Sequence, residues 1–210
     1  MKKRILCFGD SNTWGYHSPL GERFDEDTRW TGRLQKRLGD GYTVIEEGDN
    51  GRTTVWDDPV ENRMAGLSYL WPCMESHKPF DLLLIMLGTN DTKCYFGVQA
   101  KSIADSAGRL VDLAQKSAFG IDHAPPKVLL VAPIEIAEGN QPEHIFGAQA
   151  RAKSLGFPEA FRMVAEEYGC AFFDAASVTG PGSADGIHLD AEGHKKLAQS
   201  FCRKIQELIG

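Results

Sequence analysis

The sequence has 210 residues, with 23 Lys and Arg against 29 Asp and Glu, which gives a formal net charge of −6 at pH 7. Hydrophobic residues make up 42% of the chain and charged residues 25%, so the composition excludes an intrinsically disordered, a collagen-like and a disulfide-stabilised class. A chain of this length buries a core that needs neither a metal nor a disulfide, and its length predicts one domain.

Charge and cysteine content also limit the partners and the compartment. The acidic balance and the scattered Lys and Arg residues argue against nucleic acid as a partner. The five cysteines are odd in number and widely spaced, which is typical of reduced thiols. The apolar run at residues 5–8 is too short for a signal peptide, and no run approaches the ~18 residues of a membrane span. We therefore expect a cytoplasmic protein that binds no membrane.

Short apolar runs predict the strands of a sheet. They lie at residues 5–8, 44–45, 82–87, 128–131 and 171–173. None of them alternates apolar with polar residues, as expected for strands buried on both faces of a parallel sheet.

Helical patterns lie between and after these runs. Apolar residues recur at helical spacing over residues 103–114, 157–168 and 197–208. Because strands and helices alternate, we predict an α/β fold. It is a single-domain, flavodoxin-like, three-layer α/β/α fold with a parallel, doubly wound sheet of about five strands.

The segment from residue 133 to 156 shows neither pattern and is rich in Pro, Gly, Asn and Gln. A loop of that length in a compact domain is typically a lid, a binding loop or a contact surface, although a plain surface loop is an equally open interpretation. We predict an insertion there, which forms a lid or an interface in a domain that spans residues 1–210.

Polar residues follow the predicted strands at the edge where parallel sheets bind ligands. Residues 9–11 (Gly-Asp-Ser) follow the first strand, and Gly51 comes shortly after the second. Asn90 follows the third strand, and Asp185 and His188 come after the fifth. We expect all of them to meet at one rim of the sheet.

Together these residues supply the groups that acyl transfer requires. A serine attacks when an imidazole takes its proton, a carboxylate fixes the imidazole tautomer, and N–H groups stabilise the oxyanion. Taken alone, Ser11 is more typical of a helix cap and His188 of a structural histidine. Asn90 and Gly51 alone are typical turn residues. Their joint placement at strand ends favours the catalytic interpretation.

Competing motifs do not occur in the sequence. It contains no Walker A run, no G-x-G-x-x-G, no H-E-x-x-H and no C-x-x-C, so we expect neither a cofactor nor a metal. The nucleophile elbow G-x-S-x-G is nearly matched at residues 9–13, but Thr13 stands in place of the second glycine, which argues against the α/β-hydrolase fold. His194 lies in the polar first turns of the last predicted helix, where we expect a solvated side chain.

Four blocks, in order along the chain, resemble blocks I, II, III and V of the SGNH, or GDSL-like, hydrolases. They are Gly9-Asp10-Ser11, Gly51, Gly88-Thr89-Asn90-Asp91 and the pair Asp185 and His188. Further stretches, at residues 4–11, 29–32, 44–48, 52–54, 85–93 and 185–188, are similar to the bacterial arylesterase/acyltransferase (perhydrolase-like) branch.

The resemblance implies an SGNH hydrolase fold and a role for each site residue. Ser11 is the nucleophile, His188 the general base and then acid, and Asp185 the orienting carboxylate. The oxyanion hole consists of the backbone N–H groups of Ser11 and Gly51 and the side-chain amide of Asn90. The implied activity is hydrolysis of short-chain acyl (acetyl) or aryl esters through an acyl-enzyme, with acyl transfer to alcohols or peroxide as a further reaction.

Six residues are candidates for the wall of the substrate pocket: Asn12, Trp14, Thr92, Tyr95, Phe146 and Ile187. For the aromatic residues among them, packing in the core is an equally open interpretation. Asn12 stands where the resemblance leads us to expect an apolar residue.

Two alternatives remain open. One is a carbohydrate O-acetylesterase of the same superfamily. The other is a non-catalytic or phosphate-binding flavodoxin-like module in which Asp10 and Asp91 hold magnesium. We favour a structural role for these two carboxylates, as acceptors of nearby backbone N–H groups. The expected partners are a small-molecule ester and, by resemblance, further copies of the chain in a homo-oligomer.

Overall fold

The computed structural model describes residues 2–138 and 142–210. Residues 139–141, which belong to the predicted insertion, lie outside the described residues. The helices and strands are β1 (Lys3–Gly9), α1 (Ser11–Trp14), β2 (Tyr16–His17), β3 (Glu22–Arg23), α2 (Trp30–Leu38), β4 (Tyr42–Gly48), α3 (Gly66–His77), β5 (Leu82–Met86), α4 (Ala100–Gln115), β6 (Lys127–Ala132), α5 (Glu143–Phe146), α6 (Ala150–Leu155), α7 (Phe157–Glu167), β7 (Ala171–Asp174) and α8 (Ala191–Ile209).

Five strands form one parallel sheet in the order β4-β1-β5-β6-β7. Strand β4 lies on one side of β1, and the later strands β5, β6 and β7 follow on the other side. The direction in which strands are added to the sheet therefore reverses at β1. Such a reversal opens a crevice at the carboxyl ends of the strands. The predicted single-domain α/β fold with a five-stranded parallel sheet is confirmed.

Helices cover both faces of the sheet and bury a core on each. Along β1, Leu6 and Phe8 point to the face covered by α3, α4 and α7, whereas Ile5 and Cys7 point to the face covered by α2 and α8. This alternation follows from the period of two in a strand. Because both faces are apolar, the strands appear in the sequence as unbroken hydrophobic runs.

The predicted insertion contains helices that the sequence pattern does not show. Helices α5 and α6 have four and six residues, too few for a helical period to emerge. Phe146 of α5 and Ala150 of α6 pack with Ile136 and Ile187 in a small cluster of their own. The described part of residues 133–156 therefore lies against the loop that carries Ile187.

Helix α8 is the longest element, with 19 residues, and it carries charged side chains along one side. Among the described residues, none of the helices combines the length and the apolar character needed to cross a membrane.

We expect Leu84→Ala to destabilise the fold because Leu84 lies in the central strand β5 and is fully buried in the core on the side of α2 and α8. Truncation of a buried leucine costs about 2–5 kcal/mol through lost transfer energy and the cavity left behind. Urea unfolding measures the change. The matched control is Leu155→Ala, at a side chain that is 49% exposed, and an equal loss in both variants would contradict the packing described here.

Candidate active site

The first site loop turns sharply from strand β1 into helix α1. The carboxylate of Asp10 accepts a hydrogen bond from the Asn12 N–H at 2.9 Å and so caps the helix. Gly9 has no room for a side chain, because a Cβ there would lie 2.1 Å from Oγ1 of Thr13 and 2.9 Å from the Met86 carbonyl. The turn therefore presents Ser11 as the first residue of the helix, at the carboxyl end of the sheet.

The structure brings Ser11, His188 and Asp185 into one chain of hydrogen bonds. Oγ of Ser11 lies 2.9 Å from Nε2 of His188, and Nδ1 of His188 lies 2.6 Å from Oδ2 of Asp185. The ring of Tyr16 packs against the imidazole with 4.5 Å between ring centroids. This is the geometry of a nucleophile, a base and an orienting carboxylate.

Asp185 is held by the loop that it orients. Its other oxygen, Oδ1, accepts the backbone N–H groups of Ile187 at 2.8 Å and His188 at 2.9 Å. Burial opposes ionisation of this carboxyl, but the hydrogen bonds from the ring and the backbone of His188 outweigh it and hold the pKa of Asp185 well below its usual range. The residue therefore stays a carboxylate that orients the ring of His188 through Nδ1.

Amide donors converge on the same place. The side-chain amide of Asn90 donates one N–H to the Arg52 carbonyl at 3.1 Å, which fixes its orientation and leaves the second N–H free. Gly51 has φ +81°, and a Cβ there would lie 2.9 Å from Cγ of Arg63. Among the hydrogen bonds of the described residues, none uses the backbone N–H of Ser11 or of Gly51. All three groups can donate to an oxyanion.

A cavity of about 380 Å³ opens over these groups. One wall is apolar and consists of Pro142, Ile145, Phe146 and Ile187. The polar wall is formed by the lining residues Tyr16, Ser18, Asn50, Glu61 and Lys93. Two of the six predicted pocket residues, Phe146 and Ile187, thus line the cavity.

Asn12 does not line the cavity, contrary to expectation. It is 3% exposed, its Oδ1 accepts the Leu189 N–H at 2.9 Å, and its Nδ2 donates to the Ile187 carbonyl at 3.3 Å. The polar side chain therefore stands in place of an apolar one because it ties the serine loop to the loop that carries His188.

Trp14, Thr92 and Tyr95 also lie outside the cavity. The ring of Trp14 packs under the guanidinium of Arg23, with 5.3 Å to the ring centroid. Thr92 is fully buried. The Tyr95 hydroxyl donates to Asp58 at 2.7 Å. Each of these side chains satisfies a packing or hydrogen-bonding demand of its own loop.

A buried ion cluster that the sequence pattern does not reveal lies beside the cavity. Nζ of Lys93, a residue that is 1% exposed, contacts Asp58 at 2.8 Å and Glu61 at 2.7 Å. Burial raises the pKa of Asp58, but the hydrogen bonds from Lys93 and Tyr95 outweigh it and lower the pKa to about 2. The one sequence signal was the position of Lys93, directly after the polar residues that follow the third strand.

The structural role predicted for Asp10 and Asp91 is confirmed. Asp91 accepts the Thr54 N–H at 2.9 Å and also the Thr54 hydroxyl. Burial raises the pKa of both carboxyls, in each case to about 6. Because their oxygens face the protein interior and Asp91 already holds Thr54, these groups are poor candidates for the magnesium ligands considered above.

The prediction of a solvated His194 is wrong. The side chain is fully buried, and its Nδ1 accepts the Trp30 N–H at 3.2 Å. Burial lowers the pKa of His194 to about 3, so the ring is neutral. It lies on the packed side of α8 against α2 and outside the cavity, and the polar neighbours in sequence concealed this.

Comparison with known proteins identifies the class of this site. The model of the GDSL-like Lipase/Acylhydrolase family matches residues 7–196. The chain therefore belongs to the GDSL-like lipase/acylhydrolase family, the SGNH hydrolases, and is a carboxylic ester hydrolase. No match was found among curated protein sequences.

Two solved structures are similar over nearly the whole chain. The carbohydrate acetylesterase Est24 from Sinorhizobium meliloti is 40% identical, with a TM-score of 0.93 over 99% of this chain and 100% of that one. The native aryl esterase of M. smegmatis is also 40% identical, with a TM-score of 0.92 over 99% of this chain and 100% of that one. A member of the lipolytic G-D-S-L family from Veillonella parvula, 14% identical with a TM-score of 0.73, shares the fold.

We expect Asp91→Asn to change how stability depends on pH. The folded chain raises the pKa of Asp91 from its ordinary value of 3.8 to about 6, so it binds the proton more tightly than the unfolded chain does. The contribution of this proton to the stability of the natural protein is therefore lost as the pH rises from about 4 to about 6. The Asn variant has no such proton, so it does not show this loss.

Across that window the free energy of unfolding of Asp91→Asn should gain on the order of 2 kcal/mol relative to the natural protein. Urea unfolding at a series of pH values from 4 to 7 measures the difference between the two proteins. A difference that is constant over this range would contradict the buried, proton-binding state of Asp91.

Proposed function

We propose that the chain is a serine esterase that hydrolyses short-chain acyl esters, acetyl esters above all, through an acyl-enzyme on Ser11. The observation that carries the proposal is the continuous hydrogen-bond chain from Ser11 through His188 to Asp185 at the wall of an open cavity. The similar aryl esterase and carbohydrate acetylesterase support the same chemistry.

In the first half-reaction, His188 Nε2 takes the proton of Ser11 as Oγ forms a bond to the carbonyl carbon of the ester. The carbonyl oxygen becomes an oxyanion, which accepts hydrogen bonds from the N–H groups of Ser11 and Gly51 and from the amide of Asn90. Asp185 stabilises the imidazolium. The tetrahedral intermediate then expels the alcohol, which receives the proton from His188.

In the second half-reaction, water attacks the acyl-enzyme in the same way. His188 takes a proton from the water, the oxyanion forms again in the same donors, and Ser11 leaves with its proton restored. When an alcohol or a peroxide takes the place of water, the acyl group is transferred to it and no free acid is released. The cavity is open to solvent and its lining includes polar side chains, so water and the alternative acceptors can reach the acyl carbon.

We expect Asn90→Ala to lower kcat for a chromogenic aryl acetate by about 10²–10³, because one of three oxyanion donors is lost. Steady-state kinetics measure kcat, and a fluorophosphonate probe measures the reactivity of the serine. Ser11→Ala is the control: it should abolish both turnover and labelling and leave the fold intact. Full activity in Asn90→Ala would contradict the oxyanion role, and labelling of Ser11→Ala would contradict the nucleophile.

A carbohydrate O-acetylesterase is a second candidate, and the polar wall of the cavity favours it. Asn50, Glu61 and Lys93 line the cavity together with Ser11 and can contact the alcohol portion of a bound ester. The Glu61 side chain is 34% exposed and its carboxylate is fixed by Lys93. A fixed carboxylate is a strong acceptor for sugar hydroxyl groups.

We expect Glu61→Gln to raise KM for an acetylated sugar about fivefold, as one charge-assisted hydrogen bond of about 1 kcal/mol is weakened. KM for an aryl acetate, which offers no hydroxyl group, should change less than about twofold. Glu159→Gln, on the exposed side of α7, is the matched control and should change neither value. An equal effect of Glu61→Gln on both substrates would argue against sugar recognition at this wall.

Further predictions concern the compartment, the oligomeric state and the domain organisation of the enzyme. We propose a cytoplasmic homo-oligomer of one domain that spans residues 1–210, with the segment 133–156 as a lid or an interface. Leu155 and Met163, which are 49% and 57% exposed on neighbouring helices, support a contact surface at this side of the molecule. The cluster that holds α5 against the loop of Ile187 supports a role of the segment in shaping the cavity.

A further inference from the structure

A second group of reactive side chains lies outside the cavity over Ser11, between strand β4 and helix α3. Tyr69, Cys73 and His77 stand one helical turn apart on α3 and face the carboxylate of Glu47 in β4. Nε2 of His77 lies 2.7 Å from Oε1 of Glu47. The Cys73 thiol lies within 4.8 Å of a carboxylate oxygen of Glu47, and the charge of Glu47 contributes, after burial, to the raised pKa of the Tyr69 hydroxyl. None of these residues lines the cavity over Ser11, and the proposed hydrolysis does not use them.

We propose that Glu47, Cys73 and His77 form a binding site for Zn²⁺. Their ligand atoms all lie within 4.8 Å of one another. Around a tetrahedral zinc ion the ligand atoms lie about 3.5 Å apart, given bonds of about 2.0–2.3 Å, so small side-chain rotations close the site. The proposal is independent of the esterase reaction.

The donor set selects this class of ion. A thiolate, an imidazole and a carboxylate are ordinary zinc ligands, whereas Mg²⁺ and Ca²⁺ take oxygen ligands alone. Cys73 and His77 are four residues apart on one face of a helix, and Glu47 comes from the neighbouring strand. The three protein ligands leave a fourth position open for water.

Solvent reaches the site from the side of His77. The side chains of His77 and Glu47 are 29% and 19% exposed, whereas Cys73 is 1% exposed. Arg52 brings positive charge on the interior side, where its guanidinium donates to the carbonyls of Gly9 and Glu47. This charge opposes a cation, but the carboxylate and the thiolate supply two negative charges at shorter range.

Binding of the ion releases a proton. Burial first, and then the charge of Glu47, raise the pKa of the Cys73 thiol to about 12, so the metal-free site holds an S–H group. On binding, a bond forms between Sγ and the metal, and the thiol proton leaves to solvent. His77 binds the ion through Nε2 as a neutral ring that carries its proton on Nδ1.

The test uses Co²⁺ as a spectroscopic probe of the full-length protein, cleared of metal with a chelator. Cobalt bound to a thiolate gives a sulfur-to-metal charge-transfer band, and Zn²⁺ should abolish the band by displacing the cobalt. We expect one ion per chain, a band that is lost in Cys73→Ser, and affinity that falls about tenfold or more in His77→Gln. Cys94→Ser is the control, because Cys94 is the exposed thiol and the obvious place for adventitious binding.

The outcomes separate the proposal from its alternatives. A band that persists in Cys94→Ser and disappears in Cys73→Ser supports the site. A band that disappears in Cys94→Ser, or no band at all in the natural protein, would overturn it. If Cys73→Ser fails to fold, His77→Gln tests the site instead, because the partly exposed side chain of His77 can be replaced without loss of the core. Unchanged affinity of His77→Gln for cobalt would reject the site. Hydrolysis of an aryl acetate, measured in parallel, reports on the esterase separately.

Discussion

The active site depends on the close approach of helix α1 to strands β1 and β4. Gly9 and Gly48 lie side by side in these paired strands. A Cβ at Gly48 would lie 2.2 Å from the Trp14 nitrogen, as a Cβ at Gly9 would overlap Thr13. Only with both positions bare can the short helix lie against the end of the sheet. The nucleophile thus owes its place to two residues that take no part in the chemistry.

The active site also requires that two distant parts of the chain, the loop of Ser11 and the loop of His188, keep fixed positions relative to each other. Asn12 bonds to the backbone on both sides of His188, at Ile187 and Leu189, and Asp185 bonds to the backbone of its own loop. The serine and the imidazole are therefore positioned by the same small network that joins their loops. Such preorganisation lets donors and acceptors meet the transition state without rearrangement.

Much of the fold could be predicted because the physics that forms it is local and repetitive. Strands buried on both faces require unbroken apolar runs, and long helices such as α4 and α8 require an apolar stripe, so both leave a clear pattern. The site blocks could be predicted because their residues follow strand ends in a fixed order. The structure assembles Ser11, His188 and Asp185 at one rim, while their catalytic roles stay proposals.

What the sequence concealed depends on contacts between distant residues. His194 has polar neighbours in the chain, and only the packing of α8 against α2 shows that it is buried. Lys93 appears as an ordinary charged residue until Asp58 and Glu61 are placed around it. Helices α5 and α6 are shorter than the window in which a helical period can be recognised. Asn12 looked like a pocket residue because sequence order does not say which way a side chain points.

The reacting groups and part of the apolar wall of the cavity come from different kinds of structure, so the reaction and the choice of substrate can change separately. The triad and the oxyanion donors stand on turns fixed to the parallel sheet, whereas Phe146 comes from a short helix that forms its own small cluster. Substitutions in that helix can alter the shape of the bound ester while the reacting groups keep their positions. The fold therefore allows selectivity to diverge among relatives that retain one reaction, with the sheet as the constant part and the inserted helices as the variable one.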